Sequence, residues 1–210
     1  MRDRKTFTQS ELDNKIHLHK LWLDGIEGGE FADFTYMELS NRSFENADLT
    51  KASFNNCKIY NANFKNAIVD KADFTLAIIN NGTFEGASAV ETKFYMPSLY
   101  QVNFTNANLT DANMTYSVCR EANFTGANLL RADLLGANLQ GVILIDTNIY
   151  NSVLPLSSRT KFIADDKICK HLVAQTLMVM ETSGEGSKVL IKLMKEYVAE
   201  WEHEDEYKYC

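Results

Sequence analysis

An apolar residue occupies every fifth position through the middle of this chain, without a change of register, from Phe34 to Leu154. A spacing of five matches neither the 3.6-residue period of an α-helix nor the two-residue alternation of a flat β-strand. The chain must therefore turn once in each repeat and stack its turns as a solenoid, so that the apolar residues form one continuous core. This pattern predicts a narrow rod with a dry interior and argues against an active-site cleft.

The position two residues before each apolar centre favours small side chains. Fourteen of these twenty-five positions hold alanine, and only a small side chain fits beside a large one inside a narrow tube. Asp or Asn often lies between the two, as in Ala47-Asp48-Leu49 and, with Asn, over residues 107–109. These triplets resemble the A(D/N)LXX motif of the pentapeptide-repeat family, and the resemblance extends over residues 32–156.

The resemblance implies an all-β solenoid, a right-handed quadrilateral β-helix of about six coils, in which four pentapeptides make one square coil. The sequence supports this coil length, since phenylalanine recurs at every tenth position over residues 34–104 and ten residues are half of such a coil. Two opposite faces should therefore stack columns of rings: Phe44, Phe64, Phe84, Phe104 and Phe124 on one, and Phe34, Phe54, Phe74 and Phe94 on the other. At roughly 1.5–3 kcal/mol for each buried large side chain, this core needs no disulfide, metal or cofactor.

Both ends of the solenoid are predicted to be capped, because the end coils would otherwise expose unpaired backbone. Residues 1–31 should form an N-terminal helix and cap. Residues 8–11 match a helix capping box, and Trp22 and Leu23 would close the first coil. At the other end, Pro155 lacks the N–H that a further strand would need, so pairing between coils should stop there.

Residues 157–210 are predicted to form a C-terminal α-helical hairpin, since helical spacing replaces the period of five there. The first helix should span residues 164–182, and the second should begin at Ser187. The apolar positions of the second helix include Leu190, Met194, Tyr197 and Trp201. A hairpin this small is expected to fold onto the last coil, onto its copy in a homodimer, or onto a partner. The acidic residues 200–206 should be solvated.

Residues with catalytic or metal-binding chemistry are scarce. His17 and His19 lie two apart, which places them on different faces of a helix. Cys169 and His171 form a Cys-x-His pair without an Asn or Asp placed by a motif. We therefore expect no catalytic residue, no metal site and no cofactor, and an unrecognised enzyme is the least favoured hypothesis.

Charge and hydropathy indicate where the protein works. The formal net charge is −7 and Lys and Arg are not clustered, which disfavours direct contact with nucleic-acid phosphates. The first residues contain no apolar run typical of a signal peptide, and no segment approaches the length of a membrane span. We expect a cytoplasmic protein that does not bind membranes.

An apolar stripe, rich in tyrosine, is predicted along one edge of the rod when the sequence is wound onto twenty-residue coils. Its members are Tyr36, Tyr60, Leu76, Ile78, Met96, Tyr100, Tyr116 and Val118. Exposed apolar patches on soluble proteins usually mark contact surfaces. The favoured hypothesis is a scaffold, adaptor or inhibitor that binds a protein partner through this stripe or the C-terminal hairpin. Alternatively, these side chains pack along the rod or lie under a terminal helix.

The family resemblance implies a second function. Bacterial quinolone-resistance pentapeptide proteins mimic duplex DNA and bind DNA gyrase or topoisomerase IV, and here Asp33, Asp73 and Asp133 would share one acidic face. Residues 32–156 contain twelve acidic and eight basic side chains, a formal net charge of −4. Duplex DNA of the same length, roughly 30 Å, carries about 18 negative charges. The charge density therefore weakens the DNA-mimic hypothesis, although a dimer would double both length and charge.

Overall fold

The computed structural model describes residues 4–155, 163–164, 168 and 208–209 of the chain. Each parallel bridge over residues 33–153 joins a residue to the one twenty positions further along. These bridges form four series, offset from one another by five residues, so each coil has four sides. The chain thus folds as the repeat β-helix that the period of five predicts, and the twenty-residue coil is confirmed.

The phenylalanine columns in the core are confirmed as well. The rings of Phe44 and Phe64 stack with their centroids 4.4 Å apart and an interplanar angle of 2°. The rings of Phe54 and Phe74 stack at 4.5 Å in the second column. The two columns meet edge to face across the tube, as Phe44 does with Phe54 at 5.6 Å, an arrangement that the aromatic quadrupole favours. The apolar centres are buried along the tube, and only Leu154 is partly exposed.

Each side of the coil ends in a tight turn with an unusual backbone conformation. For every centre from Phe34 to Ile149, the residue two positions later has a positive φ, from 53° at Asp146 to 73° at Gly141. The next N–H closes the turn by donating to the carbonyl of the centre, as Ala77 does to Phe74 at 3.0 Å. Non-glycine residues seldom adopt this left-handed conformation, and Asn and Gly do so most readily. The residue at this position therefore carries a local conformational cost.

Helix α1 (Gln9–Leu23) lies against the first coil. The predicted capping box is confirmed: Glu11 N–H donates to the Thr8 hydroxyl, and Thr8 N–H donates to the Glu11 carboxylate. The hydrogen bonds that the Thr8 N–H and the Thr8 hydroxyl donate to the carboxylate hold the pKa of Glu11 below its usual value. Leu12 is fully buried in the core.

The prediction that Trp22 closes the first coil is wrong. Its side chain is 39% exposed and stacks on His19, with ring centroids 5.4 Å apart. Leu23 lies beside it and is half-buried. The apolar side chains near the end of the core come from Leu12 and from Phe7, whose ring meets Phe34 edge to face at 6.2 Å. Helical rotation places Leu12 and Trp22 on different faces, and only the face of Leu12 reaches the core.

Three short strands lie at the C-terminal end of the described rod. Strand β1 (Ile143–Leu144) pairs in parallel with β2 (Ile163–Ala164), which pairs antiparallel with β3 (Lys208–Tyr209). Ile143 faces Ile163, so the twenty-residue register continues past Pro155. The prediction that pairing stops at Pro155 is wrong. Pro155 occupies the first turn position, which is the residue directly after an apolar centre. Proline is tolerated there because the N–H at this position makes no backbone hydrogen bond between coils elsewhere in the described rod.

The helix predicted over residues 164–182 does not begin at its predicted start. Ala164 is fully buried and lies in β2, because the column of Leu144 continues through it. Ile168 is helical and buried, as the predicted first helix requires, whereas Lys208–Tyr209 form β3 instead of the end of a helical hairpin. The positions Leu190, Met194, Tyr197 and Trp201 lie outside the described residues, as do residues 200–206. The three predicted domain boundaries stay predictions. In the described part of the chain, no helix combines the length and apolar character needed to cross a membrane.

Candidate interaction surface

The four corners of the coil carry different residues at the left-handed turn position. Three corners carry only Asn, Gly, Gln or charged residues there. The fourth, which we name the apolar corner, consists of Tyr36, Asn56, Leu76, Met96, Tyr116 and Gly136. The apolar corner therefore places large apolar side chains at the one position in the repeat where the backbone disfavours them.

The side chains of the other corners contact the next coil. Asn61 donates from its amide to the Asn41 side chain at 3.0 Å. On another corner, Arg131 donates two hydrogen bonds to Asp111, at 2.7 and 2.6 Å. Such exposed pairs add little stability individually, but they give these residues a role within the rod. The apolar residues of the fourth corner have no comparable polar contact.

The apolar corner is exposed along most of its length. The exposed fractions are 62% for Tyr36, 46% for Leu76, 47% for Met96 and 53% for Tyr116. A left-handed conformation costs an ordinary L-residue roughly 1–2 kcal/mol, and exposure means that burial in the core offsets little of this cost. Conformational strain combined with exposed apolar surface is typical of a binding site.

The ring of Tyr116 is held in place by its surroundings. Tyr95 contacts it edge to face, with ring centroids 6.1 Å apart and an interplanar angle of 88°. On the next coil the corner residue is Gly136, where a side chain would meet the Tyr116 ring. Tyr116 is therefore exposed yet ordered by its neighbours, which lowers the entropy lost when a partner binds it.

The other predicted stripe residues lie on the side that follows the apolar corner. Val118 is exposed, whereas Ile78, Tyr60 and Tyr100 are half-buried. The Tyr100 hydroxyl donates to the Glu121 carboxylate at 3.1 Å, and this hydrogen bond raises the pKa of Tyr100. Tyr100 thus has a contact within the rod as well as an exposed edge.

Two exposed residues beside the apolar corner were not predicted. Tyr95 and Leu135 occupy the first turn position, on the side that precedes the corner, and are 40% and 53% exposed. The signal for them was in the sequence, because the first turn position points outward in every repeat. The predicted stripe took first turn positions only from the side that follows the corner, at Tyr60 and Tyr100, and none from the side that precedes it.

Comparison with known protein families identifies the repeats. A family model described as pentapeptide repeats matches the chain in eight copies, over residues 30–66, 57–94, 98–118 and 117–154. The chain belongs to the pentapeptide-repeat family. No curated protein sequence matches it.

Solved pentapeptide-repeat structures align with much of this chain, at low sequence identity. HetL is a protein from the cyanobacterium Nostoc sp. strain PCC 7120 that is involved in heterocyst differentiation regulation, and it is 18% identical to this chain. The alignment covers 73% of this chain and 93% of HetL, with a TM-score of 0.27. Rfr23 from Cyanothece 51142 is 21% identical, with coverages of 69% and 99% and a TM-score of 0.30. QnrB1, a plasmid-mediated fluoroquinolone resistance protein, is 15% identical, with coverages of 70% and 92% and a TM-score of 0.30. At these scores the likeness carries no information on function.

The acidic side chains of this pentapeptide-repeat protein serve its turns. Asp33, Asp73 and Asp133 lie in one bridge series, but Ser53, Lys93 and Asn113 separate them. Each carboxylate accepts the N–H two residues later, as Asp73 does from Thr75 at 2.9 Å. The side-chain hydrogen bond from Thr35 also lowers the pKa of Asp33. Asn113 accepts the same turn hydrogen bond, from Thr115 at 3.0 Å, so the position requires an acceptor rather than a charge.

One histidine and both cysteines in the described part of this pentapeptide-repeat protein are buried. His19 is fully buried between Ala32 N–H and the Thr50 carbonyl oxygen, both 3.1 Å from its ring nitrogens. Burial raises the pKa of the Cys57 and Cys119 thiols to about 12. No group of three or more His, Cys, Asp or Glu side chains among the described residues is placed to hold a metal ion. Cys169 and His171 lie outside the described residues.

Proposed function

We propose that this pentapeptide-repeat protein is a non-catalytic scaffold, adaptor or inhibitor whose apolar corner binds a protein partner. One observation carries the proposal: Tyr36, Leu76, Met96 and Tyr116 are exposed at left-handed turn positions, where the other corners carry Asn, Gly, Gln or charged residues. Their exposed side chains gain little from burial within the rod. A partner that buries them would supply the missing stabilisation.

The composition of the corner suits a protein partner. Tyr and Met are enriched at the centres of protein interfaces, and aromatic residues held in one conformation contribute most of the binding energy there. Tyr116 meets this description, because Tyr95 and Gly136 fix its ring while leaving half of it exposed. Burying such side chains yields roughly 1.5–3 kcal/mol for each before the cost of association.

The experiment replaces Tyr36, Leu76, Met96 and Tyr116 together by Asn, which the left-handed conformation tolerates better. Affinity-tagged wild-type and variant proteins are expressed in the native host, and co-purifying chains are quantified. We expect the variant to lose a partner that the wild type retains, with no decrease in melting temperature. The matched control replaces Lys51, Lys71, Glu91 and Arg131, on another corner, by Asn. Equal recovery with the wild type, the variant and the control would reject the proposal.

The charges of the described residues do not favour the alternative, a DNA mimic that binds DNA gyrase, topoisomerase or another DNA-acting enzyme. Glu85 pairs with Lys65 at 2.7 Å, and Asp111 pairs with Arg131 at 2.6 Å. Paired acids project less negative potential than the unpaired phosphates of DNA. We therefore expect the protein to leave gyrase supercoiling and its fluoroquinolone sensitivity unchanged in vitro. Inhibition of supercoiling, or protection against the drug, would favour the alternative.

A further inference from the structure

We propose that the partner of the apolar corner is a second copy of this chain, packed antiparallel against the side of the rod that ends at that corner. The proposal rests on the function proposed above and names the partner. We call this side the docking side. Its outward columns are the bridge series from Asp33 to Asp133, the first turn positions with Tyr95 and Leu135, and the apolar corner.

Two-fold symmetry determines which residues can meet. When two identical flat sides pack antiparallel about a two-fold axis, each column faces its own copy in reversed order. If the axis passes between the coils of Asp73 and Lys93, each Asp73 faces Lys93 of the other copy. Asp73 and Lys93 are neighbours in one bridge series, so this register creates two symmetric ion pairs near the centre of the interface.

The same register matches the side chains of the apolar corner. Leu76 faces Met96 of the second copy, so two apolar side chains meet at the centre. Tyr116 faces the smaller Asn56 of the second copy. By symmetry, the Leu76–Met96 pair and the Tyr116–Asn56 pair each occur twice. At each end of the contact, Tyr36 of one copy faces Gly136 of the other copy. The Tyr116 ring of that other copy lies over its own Gly136. Large residues therefore oppose small or apolar residues along the whole corner.

The two antiparallel registers nearest to this one are less favourable, and registers shifted by a full coil or more, including those that pair Lys93 with Asp33 or Asp133, overlap fewer coils. A shift of the axis by half a coil in one direction places Lys93 against its own copy, and a shift in the other direction places Asp73 against its own copy. In the preferred register, the repulsive pair is Asp33 with Asp133, at the two ends of the contact where solvent screens it. Central attraction with peripheral repulsion favours one alignment over its neighbours.

Lys93 is available for an interchain ion pair. It is exposed, and it forms no ion pair with another described residue. Lys65, Lys71 and Arg131, on other parts of the coil, each pair with an acidic residue one coil away. Asp73, one coil before Lys93, instead accepts the Thr75 N–H at 2.9 Å. Lys58 and Arg120 likewise form no ion pair with a described residue. What marks Lys93 is therefore its place beside Asp73 on the docking side, where a second copy can pair with it.

A charge-reversal cycle tests the register with the full chain. The dissociation constant of self-association is measured by analytical ultracentrifugation for the wild type, Asp73→Lys, Lys93→Asp and the double variant. We expect a wild-type dimer, at least a tenfold weaker dimer for each single variant, and a dissociation constant within about threefold of wild type for the double variant. Lys71→Glu, which reverses a charge on another corner, is the control and should leave the dissociation constant unchanged. Melting temperatures verify that each variant folds.

The outcomes separate this inference from the proposed function. A monomer at every concentration, a dimer that both single reversals leave unchanged, or a double variant that stays weak would each overturn the second-copy inference. If the monomeric wild type recovers a different protein in the native host, and the Asn variant of the apolar corner loses it, the proposed function stands without the inference.

Discussion

The ring of Tyr116 lies over Gly136, the residue one coil further along the apolar corner. A Cβ atom added to Gly136 would lie 2.5 Å from Cδ1 and 2.6 Å from Cε1 of that ring. Gly136 also has a φ of 69°, which glycine adopts without cost. Glycine at this position thus satisfies the turn and keeps the space into which the tyrosine folds, so two successive coils cooperate to present one aromatic ring.

Replacement of Gly136 by Asn tests this relationship. Asn tolerates the left-handed backbone, but its Cβ would displace the Tyr116 ring from its position beside Tyr95. We expect partner binding to weaken about tenfold, corresponding to about 1.4 kcal/mol, measured by titration with the purified partner. Gly126→Asn is the control, because its backbone is similar and its neighbour is the flexible end of Asn106. Unchanged binding by the Gly136 variant would exclude a role for the ring's position.

Replacement of Leu76 by Asn should separate stability from binding. Leu76 has a φ of 58° and an exposed side chain, so Asn removes strain without removing core packing. We expect the free energy of unfolding to stay constant or to rise by up to about 1 kcal/mol, measured by urea denaturation. A decrease of more than about 1 kcal/mol would mean that Leu76 stabilises the rod and that the corner is structural.

The repeat core could be predicted from the sequence because each of its positions has a single physical role. A centre such as Phe64 must be large and apolar, and the residue two before it, Ala62, must be small. The family resemblance implies a coil of four such repeats, the recurrence of phenylalanine at every tenth position supports it, and the bridges between residues twenty apart confirm it. The register of the coils and the ring columns follow from this arithmetic without knowledge of tertiary contacts.

The ends and the surface were less predictable. Pro155 was expected to stop pairing because a proline lacks an N–H, yet its position in the turn makes that N–H dispensable. Asp33 and Asp73 suggested an acidic face, but their carboxylates accept turn hydrogen bonds that Asn provides equally well. In both cases the residue type indicated one role and the hydrogen-bond pattern of the fold assigned another.

Replacement of Phe64 by Ala should destabilise the rod strongly. Its ring is fully buried and stacks between Phe44 at 4.4 Å and Phe84 at 4.6 Å. Removal of such a ring leaves a cavity and costs about 3–5 kcal/mol. Urea denaturation measures the loss. Leu154→Ala, at a partly buried centre, should cost clearly less. Equal losses at the two positions would contradict the described core.

The buried His19 should make the attachment of α1 sensitive to acid. Ala32 N–H can only donate, so Nδ1 of His19 accepts and Nε2 carries the proton that it donates to the Thr50 carbonyl. A proton on Nδ1 would remove the first hydrogen bond. Desolvation lowers the pKa of His19 below its usual 6.5. The Thr50 hydrogen bond and the Asp48 carboxylate oppose this shift, whereas the Lys15 ammonium reinforces it.

The sign of the pH dependence follows from this lowered pKa. Well above pH 6.5 both folded and unfolded chains hold a neutral His19, and its contribution to stability is complete. As the pH falls below 6.5, the unfolded chain binds a proton first, so stability decreases until the folded-state pKa is passed. We expect the melting temperature to fall by about 2–4 °C more in the wild type than in His19→Gln as the pH is lowered from about 8 to about 5. His17→Gln, on an exposed position of the same helix, should retain the wild-type dependence, and equal slopes for all three proteins would contradict the assignment to His19.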